Sequence, residues 1–204
     1  MNTARLNPGI PLLLNGVTKR YGDNTILNEL DLHIPSGQFV AVVGRSGGGK
    51  STLLRLLAGF ESPAGGHVER AAAVAWVAQQ PTLTPETTLA ALLGYAPVFD
   101  ALFRLEQGNG LADDFELLDG HWDLTDRLSL AFREADLPPF SVDRPAFSLS
   151  GGERMKALLC GAFVSGADYL LLDEPTNHLD RQGREWLYHQ LESWQGGALI
   201  ASHD

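Results

Sequence analysis

The chain has one cysteine, Cys160, so neither an intrachain disulfide nor a cysteine metal cluster is open to it. That residue sits in the apolar run Ala157-Leu158-Leu159-Cys160 and reads as a buried structural thiol, not a reactive one. Lysine is almost absent: Lys19, Lys50 and Lys156 are the only three in 204 residues. With a net charge of −10, the chain lacks the broad basic face that direct DNA binding uses. No apolar run approaches the roughly 20 residues of a membrane-crossing helix. Residues 1–7 lack the basic and apolar regions of a signal peptide. A cytoplasmic chain is therefore expected, reaching the inner face of a membrane only through a partner. No internal repeat or low-complexity tract is present.

What the chain does have is Gly44-Arg45-Ser46-Gly47-Gly48-Gly49-Lys50-Ser51, followed by Thr52. An apolar strand pattern, Phe39 to Val43, runs into it, and an apolar helix pattern, Thr52 to Ala58, runs out. Strand, glycine-rich loop and helix in that order form a phosphate-binding loop. The glycines let backbone N–H groups turn toward an anion, and the helix start adds the positive end of its dipole. Lys50 supplies a point charge for the terminal phosphates, and the Ser51 hydroxyl is a ligand for Mg2+.

The rest reads as α/β with a helical insertion. Strands are expected over 12–21, 26–34, 38–43 and 71–78, with a helix over 51–58 and a loop over 61–66. From Pro81 to Phe147 the alternation fades, and helical spacing appears over 89–93, 99–105 and 124–135. Asp113, Asp114, Glu116, Asp119, Asp123 and Asp126 crowd this stretch and read as a solvated face or a docking face. The α/β pattern returns with helices over 151–164 and 181–194 and buried strands over 169–172 and 198–201. The expected division is residues 1–80 as the first part of a phosphate-loop core, 81–147 as an inserted helical lobe, and 148–204 as the remainder of the core.

A second chemical signal lies at Leu170-Leu171-Leu172-Asp173-Glu174, where an apolar strand delivers two carboxylates at its C-terminal end. Ligands bind at that end in open α/β sheets. Asp173 suits Mg2+, and Glu174 suits a base that polarises water for attack on a γ-phosphate.

With these two signals in order, the chain resembles the ATP-binding cassette (ABC) ATPases over nearly its whole length. Leu149-Ser150-Gly151-Gly152-Glu153 is similar to the family signature. The resemblance implies that Ser150, Gly151, Gly152 and Glu153 of one protomer meet the γ-phosphate of ATP held by another, as a homodimer or with a second cassette. It also implies that Gln79, with Gln80 a near alternative, reaches the metal and water. By the same likeness His203 contacts the γ-phosphate, Asn177-His178-Leu179-Asp180 crosses the dimer interface, and Tyr21 stacks on adenine.

Two branches of the family are visible. Residues 1–66 resemble the ATPase subunits of aliphatic-sulfonate importers. From residue 67 onward, Glu153 in the signature and Asp173 to Asp180 resemble the ABC-F branch, soluble twin-cassette proteins that act on ribosomes, and the interval before Gln79 leaves no room for extra strands. Family members continue past the switch histidine, so hydrolysis is expected to suffer from an end at Asp204. The favoured expectation is an ATP-hydrolysing importer subunit with a membrane permease partner. The alternatives are an ABC-F ATPase on ribosomes and a nucleotide-dependent interaction module with little turnover.

Overall fold

β1 (Leu12–Tyr21) and β2 (Asn24–Ile34) form an antiparallel hairpin, with Leu12 opposite Ile34 and Tyr21 opposite Asn24. Leu12 and Leu14 are buried at the period-two spacing of a half-covered sheet, and a register shift between Leu14 and Val17 brings Val17 inward as well. These features come from a computed structural model that describes residues 11–203. The reading of residues 1–7 as free of a signal peptide lies outside the described residues. The chain divides into two compact units. The first holds the residues up to Gln79 together with Ser165–Asn177 and the segment from His189 on; the second holds Gln80–Val164 and His178–Tyr188.

The first unit contains two sheets. β4 (Gly65–Glu69) pairs with β1 to complete a three-stranded antiparallel sheet of order β2-β1-β4. The second sheet is parallel and four-stranded. Its strands are β3 (Phe39–Val43), β5 (Val74–Val77), β6 (Tyr169–Asp173) and β7 (Gly197–Ser202), in the order β3-β7-β6-β5. Every residue of β6 is buried, which explains its apolar run from Tyr169 to Leu172 before Asp173. α1 (Lys50–Ala58) buries Leu53, Leu54, Leu56 and Leu57 in a core shared with Leu12, Leu14, Tyr169, Leu171 and Leu199. Gly59, with φ 84°, ends α1 and lets the Phe60 N–H donate back to the Arg55 carbonyl at 2.9 Å. β3 pairs only with β7 among the described strands, and Phe39 and Val43 on it are 47% and 60% exposed.

The helical unit contains α2 (Leu89–Leu92), α3 (Ala96–Glu106), α4 (Ala112–Leu117), α5 (Leu124–Glu134) and α6 (Gly151–Phe163). α7 (Arg181–Ser193) contributes residues to both units. Leu89, Leu118, Leu124, Leu128, Phe132 and Cys160 anchor this unit's own core. No described helix is long and apolar enough to cross a membrane.

Three expectations need correction. The stretch expected as loop over 61–66 gives way at Gly65 to β4, so the interval before Gln79 does hold a further strand; its two glycines hid the strand pattern while Thr18 and Leu14 of β1 supplied the pairing. The strand expected over 71–78 is confined to Val74–Val77. Asp114 is not part of a solvated face. It is buried, with Arg104 Nε donating to Oδ2 at 3.0 Å and the Leu111 N–H to the same oxygen at 2.9 Å.

Candidate functional site

The C-terminal ends of the parallel strands open onto a cleft of about 270 Å³ within the first unit. The phosphate loop supplies most of its wall, from Ser46 to Thr52, and Ile26, Gln79, Asp173, Glu174 and His203 complete it. The loop, the acidic pair and His203 meet here because β6 and β7 pair in register, Asp173 opposite Ala201, while β3 pairs with β7 on the other side; β5, paired with β6, brings Gln79.

Gly49 is the N-cap of α1 and, having no side chain, makes no capping bond, so the first amides of the helix stay available. Its φ of 81° is left-handed, and a Cβ there would stand 3.0 Å from Ile26 Cγ2. Glycine is thus required by both backbone and space. Lys50 is buried. Its ammonium donates to the Gly44 carbonyl and, at 3.2 Å, to that of Arg45, and lies 4.0 Å from Glu174 Oε1. Gly44 and Arg45 therefore reach the site through their carbonyls instead of lining the cleft.

Asp173 and Glu174 are 4% and 3% exposed, low enough to demand partners. Asp173 Oδ1 has no hydrogen-bond partner among the described residues. Glu174 takes the His203 backbone N–H on Oε2 at 3.2 Å, and His203 Nε2 stands 3.2 Å from Oε1 without the alignment of a hydrogen bond. Glu174 has φ 49°, a left-handed value rare for a side-chain-bearing residue and typical of functional sites. Its N–H donates to the Ala201 carbonyl at 2.9 Å.

The donor set fits Mg2+. No group of three or more His, Cys, Asp or Glu side chains forms a metal cage among the described residues. What the cleft offers is an orphaned carboxylate oxygen on Asp173, with Ser51 lining the same cleft. That sparse set suits an ion that keeps waters and takes its remaining ligands from phosphates.

Of the two glutamines at the end of β5, Gln79 lines the cleft, whereas Gln80 is exposed and outside it. Tyr21 is not among the lining residues; its hydroxyl donates to Glu61. Ile26 lines the cleft and was not singled out by sequence, where it looked like any apolar strand position.

Ser150 to Glu153 begin α6 in the helical unit. The Ser150 hydroxyl accepts the Glu153 N–H at 3.2 Å, and Glu153 Oε2 accepts the Ser150 N–H at 2.8 Å, a reciprocal capping box. The Ser150 N–H bond holds the Glu153 carboxyl below the usual carboxylate range, against a smaller upward push from burial. A Cβ on Gly152 would stand 3.0 Å from the His178 carbonyl oxygen, so the bare backbone is also a packing requirement. The loop segment 177–180 continues into α7, where Asp180 Oδ1 accepts the Gly183 N–H at 2.7 Å.

Comparison with known proteins gives the family. A family profile described as "ABC transporter" matches residues 27–177. The aliphatic sulfonates import ATP-binding protein SsuB of Escherichia coli (strain K12) is 44% identical over 209 residues, covering 100% of this chain and 75% of that protein. SsuB of Shigella flexneri is 43% identical with the same coverage. Among solved structures, the ATP binding subunit of an ABC transporter superposes with a TM-score of 0.70 at 21% identity, covering 95% of this chain and 80% of that one. An ABC transporter in an inward-facing conformation gives 0.65 at 24% identity, with 95% and 73% covered. The likeness to SsuB runs the full length of the chain and is not confined to its first 66 residues.

Proposed function

This chain belongs to the ABC transporter family, and we propose that it is the ATP-hydrolysing subunit of an importer for aliphatic sulfonates or similar small organosulfonates. The observation that carries this reading is the convergence of Lys50, Asp173, Glu174 and His203 on one cleft, in a chain similar throughout to SsuB.

In this reading the triphosphate lies along the amides of Gly47 to Thr52, where the helix start favours negative charge. Lys50 leaves the Gly44 and Arg45 carbonyls for the phosphate oxygens. That movement takes a cation away from Glu174 and leaves its carboxylate free to accept a proton. Water oxygen attacks the γ-phosphorus as the bond to the β–γ bridging oxygen breaks. The water proton passes to Glu174, and ADP and inorganic phosphate result. His203, held to Glu174 through its backbone, is placed to contact the γ-phosphate, and Gln79 to orient the water. Ser51 and Asp173 would hold Mg2+, which neutralises charge on the phosphate oxygens.

By family resemblance, Ser150 and the amides of Gly151 and Gly152 cover the γ-phosphate of a second copy, so ATP joins two protomers and hydrolysis releases them. A permease is the expected membrane partner, and a cytoplasmic position against the membrane follows from it. The helical unit supports a partner of that kind. Phe103, Leu111, Phe115 and Trp122 are exposed among the equally exposed Asp113, Glu116, Asp119 and Asp123. Phe115 and Trp122 are ring neighbours with centroids 6.2 Å apart. An apolar surface with an acidic surround suits a basic amphipathic segment.

The ABC-F reading makes a different demand. Fractionation of cells expressing the tagged chain with ATP separates the two: recovery with a permease in membranes supports the importer, and recovery on ribosomes supports ABC-F. Lys50→Ala should abolish ATP binding in either case. Unchanged affinity in that variant sinks the use of the loop proposed here.

A further inference from the structure

Tyr21, at the end of β1, is 45% exposed, yet its ring is far from free. The hydroxyl donates to Glu61. Lys19 Nζ stands 3.1 Å from Glu61 Oε2 and donates to the Ser62 carbonyl at 2.9 Å. The same ammonium lies 5.2 Å from the centroid of the Tyr21 ring, within cation–π range. Arg55, from α1, stands 3.5 Å from Glu61 Oε1. Glu61 and Lys19 are both largely shielded from solvent, so salt weakens this set less than it weakens an open surface pair. Partial burial pushes the Glu61 carboxyl up, but the hydrogen bonds from Tyr21 and Lys19, with the Lys19 charge and Arg55, bring it below the usual range.

The cluster stands beside the cleft. Tyr21 pairs with Asn24 across the β1–β2 turn, and Ile26, two residues along β2, lines the cleft. Two residues of strand span about 7 Å. A base attached to a triphosphate in the loop has this ring as its nearest aromatic neighbour on the hairpin. None of Lys19, Arg55 and Glu61 belongs to the motifs that carry the chemistry.

We propose that Glu61 is a positioning residue: with Lys19 it locks the Tyr21 ring in one orientation, as a ready-made platform for the purine of the bound nucleotide. This rests on the reading that the phosphate loop binds a nucleoside triphosphate. The physical gain is preorganisation. A ring already fixed loses no rotamer freedom when the base stacks, whereas an untethered ring must be ordered at that moment. Lys19 occupies one face and leaves the other to the base.

The test compares two probes, ATP and inorganic tripolyphosphate, by calorimetry on the full chain. Tripolyphosphate has the charge and no base. Glu61→Ala is expected to weaken ATP about threefold to tenfold, the cost of ordering one side chain, and to leave tripolyphosphate unchanged. Tyr21→Phe, which keeps the ring and removes the hydroxyl, is expected to do the same. Glu61→Gln, which still accepts the hydroxyl hydrogen, is expected to recover part of the loss. In a Tyr21→Ala background, Glu61→Ala is expected to add nothing. Equal weakening of both probes means a structural role and overturns the proposal, as does unchanged ATP affinity in Glu61→Ala or full additivity with Tyr21→Ala. Tripolyphosphate failing to bind the parent chain overturns the loop reading first, and the platform with it.

Discussion

Glu174 and His203 meet twice: the His203 backbone N–H reaches Glu174 Oε2 at 3.2 Å, and the imidazole Nε2 stands 3.2 Å from Oε1. Both contacts depend on the parallel pairing of β6 and β7, which also directs the Glu174 N–H to Ala201. The carboxylate is therefore placed by the strand that carries its neighbour. Its left-handed backbone costs about 1–3 kcal/mol, a strain that persists because the surrounding strands over-determine it.

Removing the charge of that carboxylate isolates its role. Glu174→Gln should keep ATP affinity and lower turnover by about 100-fold to 10,000-fold, the range for loss of a general base. Phosphate release gives the rate, and size-exclusion chromatography with ATP should show more dimer than in the parent. Turnover equal to the parent's removes Glu174 from the reaction.

The loop geometry makes its own prediction at Gly49. Glycine→Ala there meets both a left-handed backbone and Ile26 at 3.0 Å. ATP affinity should fall about fivefold to thirtyfold, since the strain is about 1–2 kcal/mol before any clash is counted. Gly44→Ala, with nothing within 4 Å of its Cβ, should lose much less. Similar losses in the two variants count against the geometric cause.

Acid should loosen the helical unit through Asp114. Hydrogen bonds from Arg104 and then from the Leu111 N–H hold its carboxyl below the usual range. The folded pKa is thus below the unfolded one, so the stabilisation is fully present above the ordinary carboxylate value of about 4 and is lost as pH falls through the folded value. The melting temperature of the parent should exceed that of Asp114→Asn near pH 7, and the gap should close on acidification. A gap constant with pH excludes the ion pair as its source.

Cys160 should resist modification in the native protein. Burial, helped by the Glu134 charge, pushes its thiol up to about 12, and its Sγ donates to the Ala131 carbonyl at 3.5 Å. A maleimide at neutral pH should label it only after denaturation. Rapid labelling of folded protein means the helical core opens far more readily than its packing implies.

The parts of this molecule that read clearly from sequence are those whose chemistry is local. The loop from Gly44 to Ser51 and the pair Asp173-Glu174 carry their own spacing, and all but Gly44 and Arg45 of these residues line the cleft. Most strands and helices fell within a few residues of their expected bounds. β4 escaped because Gly65 and Gly66 have no β propensity; pairing with β1 makes it a strand. Asp114 looked like one acid among six because only the fold brings Arg104 to it. Ile26 escaped for a similar reason: an isoleucine on a strand carries no local mark of the cleft it faces. The choice between Gln79 and Gln80 needed the strand to fix which one turns inward.

β3 has a practical consequence at the bench. Among the described strands it lies at the margin of its sheet, with Phe39 and Val43 bare beside it. A margin of that kind can pair with any strand that reaches it, and needs no nucleotide to do so. An association assay on this chain therefore needs a dilution series in which nucleotide-dependent pairing is separated from plain stickiness.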